Sequence, residues 1–109
     1  MEREHHSARR KWADIKTLRL CGEATRTLNL FLSGCGDSVL QDIAVDSIEP
    51  GPDPSLLLVT VTVCDPKADV NVAVILGRLE CARGALRSEL AAAIRRKRTP
   101  NLIFRVRVP

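Results

Sequence analysis

Hydrophobic positions along the chain follow two different periods, and the switches between them mark the elements. From about residue 14, Leu18, Cys21, Thr25, Leu28, Phe31 and Leu32 recur at three- and four-residue spacing. That spacing lays one apolar stripe along a first helix, which Ser33-Gly34-Cys35-Gly36 stops, because glycine readily takes the left-handed conformation that ends a helix. Asp37 to Gln41 reads as a connector. Ile43, Ala44 and Val45 open a first strand that reaches about Glu49, where Pro50-Gly51-Pro52-Asp53-Pro54 forces a turn. Leu56 to Cys64 then alternates, with Leu57, Val59, Val61 and Val63 on one face and Leu56, Leu58, Thr60, Thr62 and Cys64 on the other. An antiparallel hairpin is predicted.

Asp65-Pro66-Lys67 breaks the second strand, and Asp69 reads as the N-cap of a long helix from about Val70 to Ile94. Its inward stripe is Val72, Ile75, Leu76, Leu79, Ala82, Leu86, Leu90 and Ile94, while Arg78, Arg83, Arg87 and Arg95 fall between these positions and can reach solvent. Gly84 is expected to interrupt this helix, since an interior glycine costs roughly 1 kcal/mol relative to alanine. Pro100 ends the segment. A last strand follows, with Leu102, Phe104, Val106 and Val108 inward and Ile103, Arg105 and Arg107 outward. The order α-β-β-α-β, joined by short connections, predicts one α+β domain.

Length agrees, because 109 residues suit one core and are too few for two ordinary ones. Residues 1–13 are polar and patternless, a flexible basic arm carrying Arg9, Arg10 and Lys11 and ending near Trp12; the domain occupies 14–109. The uncharged stretch Ser55 to Cys64 is read as a buried strand rather than a bilayer span. Glu2 and Glu4 interrupt the first basic residues and no apolar segment follows, so neither a secretory nor a transit leader is expected, and the chain is read as cytoplasmic.

Charge changes the picture more than composition does. The formal net charge is +4, but residues 21–77 carry −6 and residues 78–109 carry +7. A cationic final third of this density either meets a polyanion, with nucleic acid the leading candidate, or is solvated surface. Cys21, Cys35, Cys64 and Cys81 form no paired motif and are expected to be free thiols. His5 and His6 lie far from them, so no metal site and no cofactor are expected. No nucleophile, phosphate-loop or metalloprotease motif is present, and the chain is read as a non-enzyme.

The run Leu79-Glu80-Cys81-Ala82-Arg83-Gly84-Ala85-Leu86-Arg87-Ser88-Glu89-Leu90, followed by Ile94-Arg95-Arg96-Lys97-Arg98-Thr99-Pro100-Asn101-Leu102-Ile103-Phe104, resembles ribosome-binding factor A. The resemblance extends over roughly residues 14–108 and is sharpest from Leu79 to Phe104. It implies a single type II KH-like domain, with a three-stranded sheet and helices packed on one face. It also implies a helix kink at Ala82-Arg83-Gly84 in place of the usual Gly-x-x-Gly loop. The six glycines are never three apart, so the standard KH backbone clamp is excluded, and three aromatic residues are too few for a base-stacking platform.

Binding would then lean on phosphate, to which the planar guanidinium fork is suited. The resemblance implies that Arg83 and Arg87, one helical turn apart, face rRNA together. The wider set of RNA-binding candidates is Arg78, Arg83, Arg87, Arg95, Arg96, Lys97, Arg98, Arg105 and Arg107. Blander readings stand beside these: a solvated helix face for Arg83 and Arg87, a solubilising helix end for Arg95 to Arg98, and edge protection for Arg105 and Arg107. The function implied is a monomeric maturation factor that binds immature small ribosomal subunits and assists rRNA processing or folding without catalysis, with an assembly GTPase as a further partner. The competing reading is a protein-interaction adaptor whose basic third serves only solubility.

Overall fold

The most strictly alternating stretch of the sequence becomes the middle of the sheet. In a computed structural model of the chain, described for residues 19–53, 55–65, 67, 70–94 and 98–108, strand β2 (Leu56–Val63) lies between β1 (Ile43–Pro50) and β3 (Asn101–Arg107). β1 pairs with it antiparallel and β3 parallel. The basic arm of residues 1–13, with Leu18, Asp69, Arg95, Arg96 and Lys97, lies outside the described residues. Helix α1 covers 19–34, the one-turn α2 is Ser38–Gln41 and α3 is Val72–Ile94. This is an α+β arrangement with a mixed three-stranded sheet.

All three helices feed one core. Ile43, Val45 and Ile48 of β1, Leu57, Val59 and Val61 of β2 and Leu102 of β3 are buried with Cys21, Ala24, Leu28 and Leu32 of α1, Leu40 of α2 and Ile75, Leu79, Leu86 and Leu90 of α3. The opposite sheet face, bearing Leu56, Leu58, Thr62, Ile103, Arg105 and Arg107, contributes nothing to that cluster. Periodicity therefore assigns the faces of β2 and β3 as expected, except that Val108 is 58% exposed.

β1 departs from a period of two. Val45 pairs with Val61 and Ser47 with Thr60, so Asp46 is a bulge that rephases the strand and returns Ile48 to the core. Asn29 of α1 secures this point: its Oδ1 accepts from the Val45 N–H at 2.7 Å and its Nδ2 donates to the Val45 carbonyl at 3.4 Å. At the other end of the hairpin, Gly51 N–H donates to the Leu56 carbonyl, and a Cβ at Gly51 would stand 2.9 Å from the Leu56 Cβ. Only glycine fits there without displacement. The Asp53 carboxylate accepts from the Ser55 N–H and hydroxyl, which together hold it below the usual carboxylate range.

Three expectations change. The connector after α1 is a helical turn, because Asp37 caps it by accepting from Val39 N–H and Leu40 N–H. Gly36, at φ +80°, supplies the left-handed stop before it. Helix α3 begins at Val72 rather than Val70, where Asn71 Oδ1 accepts from Val74 N–H at 3.2 Å. Finally, Ala82-Arg83-Gly84 lie inside one unbroken helix, so Gly84 does not divide it. A Cβ at Gly84 would meet nothing within 4 Å. Gly84→Ala is accordingly expected to stabilise the fold by roughly 0.5–1 kcal/mol, read as a higher urea midpoint at unchanged slope.

Candidate nucleic-acid interface

Two arginines of α3 hold the segment between α3 and β3 and the first residues of β3. Arg87 reaches it first, donating from Nη2 to the Thr99 carbonyl at 3.1 Å and from Nε to the Pro100 carbonyl at 3.4 Å. One turn earlier, Arg83 Nη1 donates to Asn101 Oδ1 at 2.9 Å and to the Leu102 carbonyl. Its Nε and Nη2 grip Glu80, with the shortest ion-pair distance 2.6 Å. Its guanidinium also stands over the Phe104 ring, 5.3 Å from the centroid. An arginine has five N–H donors in a fixed fork, and this network uses all three of its nitrogens.

The expected pair is therefore brought together, but with different occupations. Arg83 is paired with Glu80 and also bonds Asn101 and Leu102, whereas Arg87 spends one edge of its fork on carbonyls and has no carboxylate partner among the described residues. Arg98 stands beside the segment that Arg87 holds; it is exposed and makes no hydrogen bond or ion pair with another described residue. Arg95, Arg96 and Lys97, which complete the basic run, lie outside the described residues.

The other cations sit elsewhere. Arg78, near the start of α3, pairs with Asp37 at 3.4 Å. Arg105 lies over Thr60, with Nη2 3.3 Å from its hydroxyl, and leaves Thr60 only 6% exposed. Arg107 crosses the open sheet face to the bulged Asp46 at 2.9 Å. That face also carries Glu49, so it mixes both signs. The six candidate cations that are described thus have separate surroundings: Arg78 beside Asp37, Arg105 and Arg107 on the open sheet face, Arg83 and Arg87 on the approach to β3, and Arg98 next in sequence to the Thr99 that Arg87 holds. Sequence reasoning did not single out Glu80 or Asn101. Glu80 had a signal, its three-residue spacing from Arg83, while Asn101 had none.

Among the described residues, no group of three His, Cys, Asp or Glu side chains is placed to hold a metal ion, and no helix is long and apolar enough to cross a membrane. The four cysteines, all described, form no disulfide.

With this geometry in hand, comparison of the folds is decisive. The structure matches the crystal structure of ribosome-binding factor A from Thermus thermophilus with a TM-score of 0.70, over 83% of this chain and 94% of that one. The chain has the fold of ribosome-binding factor A. Sequence identity to that structure is 24%. No family model and no curated protein matches the sequence. The KH-like architecture expected from the Leu79 to Phe104 resemblance is thus the one observed, with ribosome-binding factor A as its structural counterpart.

Proposed function

We propose that this chain is a non-catalytic, ribosome-associated factor that binds the immature small subunit through rRNA phosphates and favours one rRNA arrangement during processing and folding. The observation that carries the reading is the match along nearly the whole length of ribosome-binding factor A, combined with a final third of net charge +7. The contact surface is centred on Arg87 and the run Arg95 to Arg98, at the end of α3. Arg83 acts beside it as a positioning residue that holds the first residues of β3, and Arg78, Arg105 and Arg107 have separate surroundings. Binding one arrangement more tightly than its alternatives shifts their populations, so the factor needs no energy source to act. Release then falls to maturation of the subunit or to a second factor such as an assembly GTPase. The work is cytoplasmic and done by a monomer.

Sedimentation of a cell extract tests the reading: the protein is expected to travel with free small subunits, and its absence from them would overturn it. Salt tests the site. Affinity for small-subunit rRNA should fall steeply with salt, and replacing Arg95, Arg96, Lys97 and Arg98 with glutamine should flatten the log–log slope by about 3. Arg83→Ala should leave that slope unchanged while the protein remains folded. An unchanged slope in the glutamine variant would remove the basic run from the interface.

A further inference from the structure

The two edges of the sheet are finished differently, and the difference leaves a place for another strand. Parallel pairing makes alternate residues of β3 bond to β2 while the intervening ones turn their N–H and C=O outward. Asn101 N–H donates to the Ser55 carbonyl, which fixes the phase: Leu102, Phe104 and Val106 face away from β2. Leu102 is already satisfied at both groups, its N–H by Asn101 Oδ1 at 2.9 Å and its carbonyl by Arg83. The outward backbone groups of Phe104 and Val106 have no partner among the described residues.

The β1 edge has no equivalent opening. Asn29 occupies both outward groups of Val45, Asp46 bulges, and Pro50 has no N–H to give. β3 contains neither a bulge nor a proline. It therefore offers two N–H and two C=O groups in register, enough for a short added strand.

From this geometry we infer that the β3 edge accepts an extended acidic peptide segment by strand addition at Phe104 and Val106. Charge selects the occupant. Arg105 and Arg107 project from the open face of β3, and an added strand would lie about 4.8 Å from β3 on the side opposite β2, within reach of both side chains. Arg105 has no carboxylate partner among the described residues, and Arg107, although paired with Asp46 at 2.9 Å, keeps its side chain 69% exposed. Acidic residues at alternate positions of the added strand would stand opposite both. A second copy of β3 would instead oppose arginine to arginine, which disfavours self-pairing. The partner is thus another protein's acidic extended segment, bound chiefly by main-chain hydrogen bonds. This surface is independent of the basic run at the end of α3.

The probe is a blocked peptide, Thr-Glu-Val-Glu-Thr-Glu, added to the full chain and followed by amide hydrogen exchange. Exchange at Phe104 and Val106 should slow by about tenfold at saturation, with Leu102 unaffected. Val106→Pro removes one outward N–H without touching the ladder to β2 and should weaken binding about tenfold. The same peptide N-methylated at alternate residues, which leaves the protein unaltered, should not bind. Several outcomes would overturn the assignment: protection elsewhere, equal affinity for a lysine-for-glutamate peptide, retained binding of the N-methylated peptide, or protection of these amides by small-subunit rRNA instead of the peptide.

Discussion

Arg83→Ala is expected to lower the unfolding free energy by roughly 2–4 kcal/mol, a large share of the about 5–15 kcal/mol that a folded domain possesses. The side chain holds several groups at once. It donates to the part-buried Leu102 carbonyl and to Asn101, stands over the Phe104 ring and pairs with Glu80. The Glu80 pair contributes least, because that carboxylate is 53% exposed; Glu80→Gln should cost no more than about 1 kcal/mol. Arg83→Lys separates charge from shape. An ammonium cannot reach Glu80, Asn101 and Leu102 together, so the lysine variant should recover less than about half of the loss. Urea unfolding with a constant slope is the measurement. A lysine variant as stable as the parent would show that only charge matters at this position.

Leu90→Ala should cost about 2–5 kcal/mol, the range found when a fully buried leucine is truncated and its surroundings cannot close the gap. Leu90 is 0% exposed, and its neighbours along the helix stripe, Leu86 and Leu79, are each 1% exposed. The truncation therefore opens a void beneath the stretch of α3 whose arginines hold the start of β3. Leu30 on α1 is the internal control, since at 73% exposure its replacement by alanine should change stability by less than about 0.5 kcal/mol. Comparable losses at Leu30 and Leu90 would mean that α1 is packed on the face assigned here to solvent.

The residues that the sequence makes legible are those whose partners are repeated at regular intervals. The stripe of α3 and the alternation of β2 emerge as read, since each position is supported by others two, three or four residues away. The spacing of Ile43, Val45 and Ile48 already contained the bulge, as two buried neighbours three apart cannot share the face of a regular strand. What escaped the pattern depends on single contacts between distant residues. Asn29 meets Val45 across 16 positions and Arg83 meets Asn101 across 18. Without those contacts, Arg83 is indistinguishable from Arg87, and both read as surface cations. Likewise, Asn71 and Asp69 are equally good caps by residue type, and only the start of α3 at Val72 separates them.

The parallel pairing of β2 with β3 also orders events at the ribosome that makes this protein. β2 leaves the exit tunnel well before β3, because all of α3 is translated between them. At about 5–20 residues per second, the nascent chain waits some seconds with the middle strand half-paired. Its Leu- and Val-rich edge is a site for mispairing or chaperone capture during that interval, and folding can finish only after Asn101 to Arg107 have emerged.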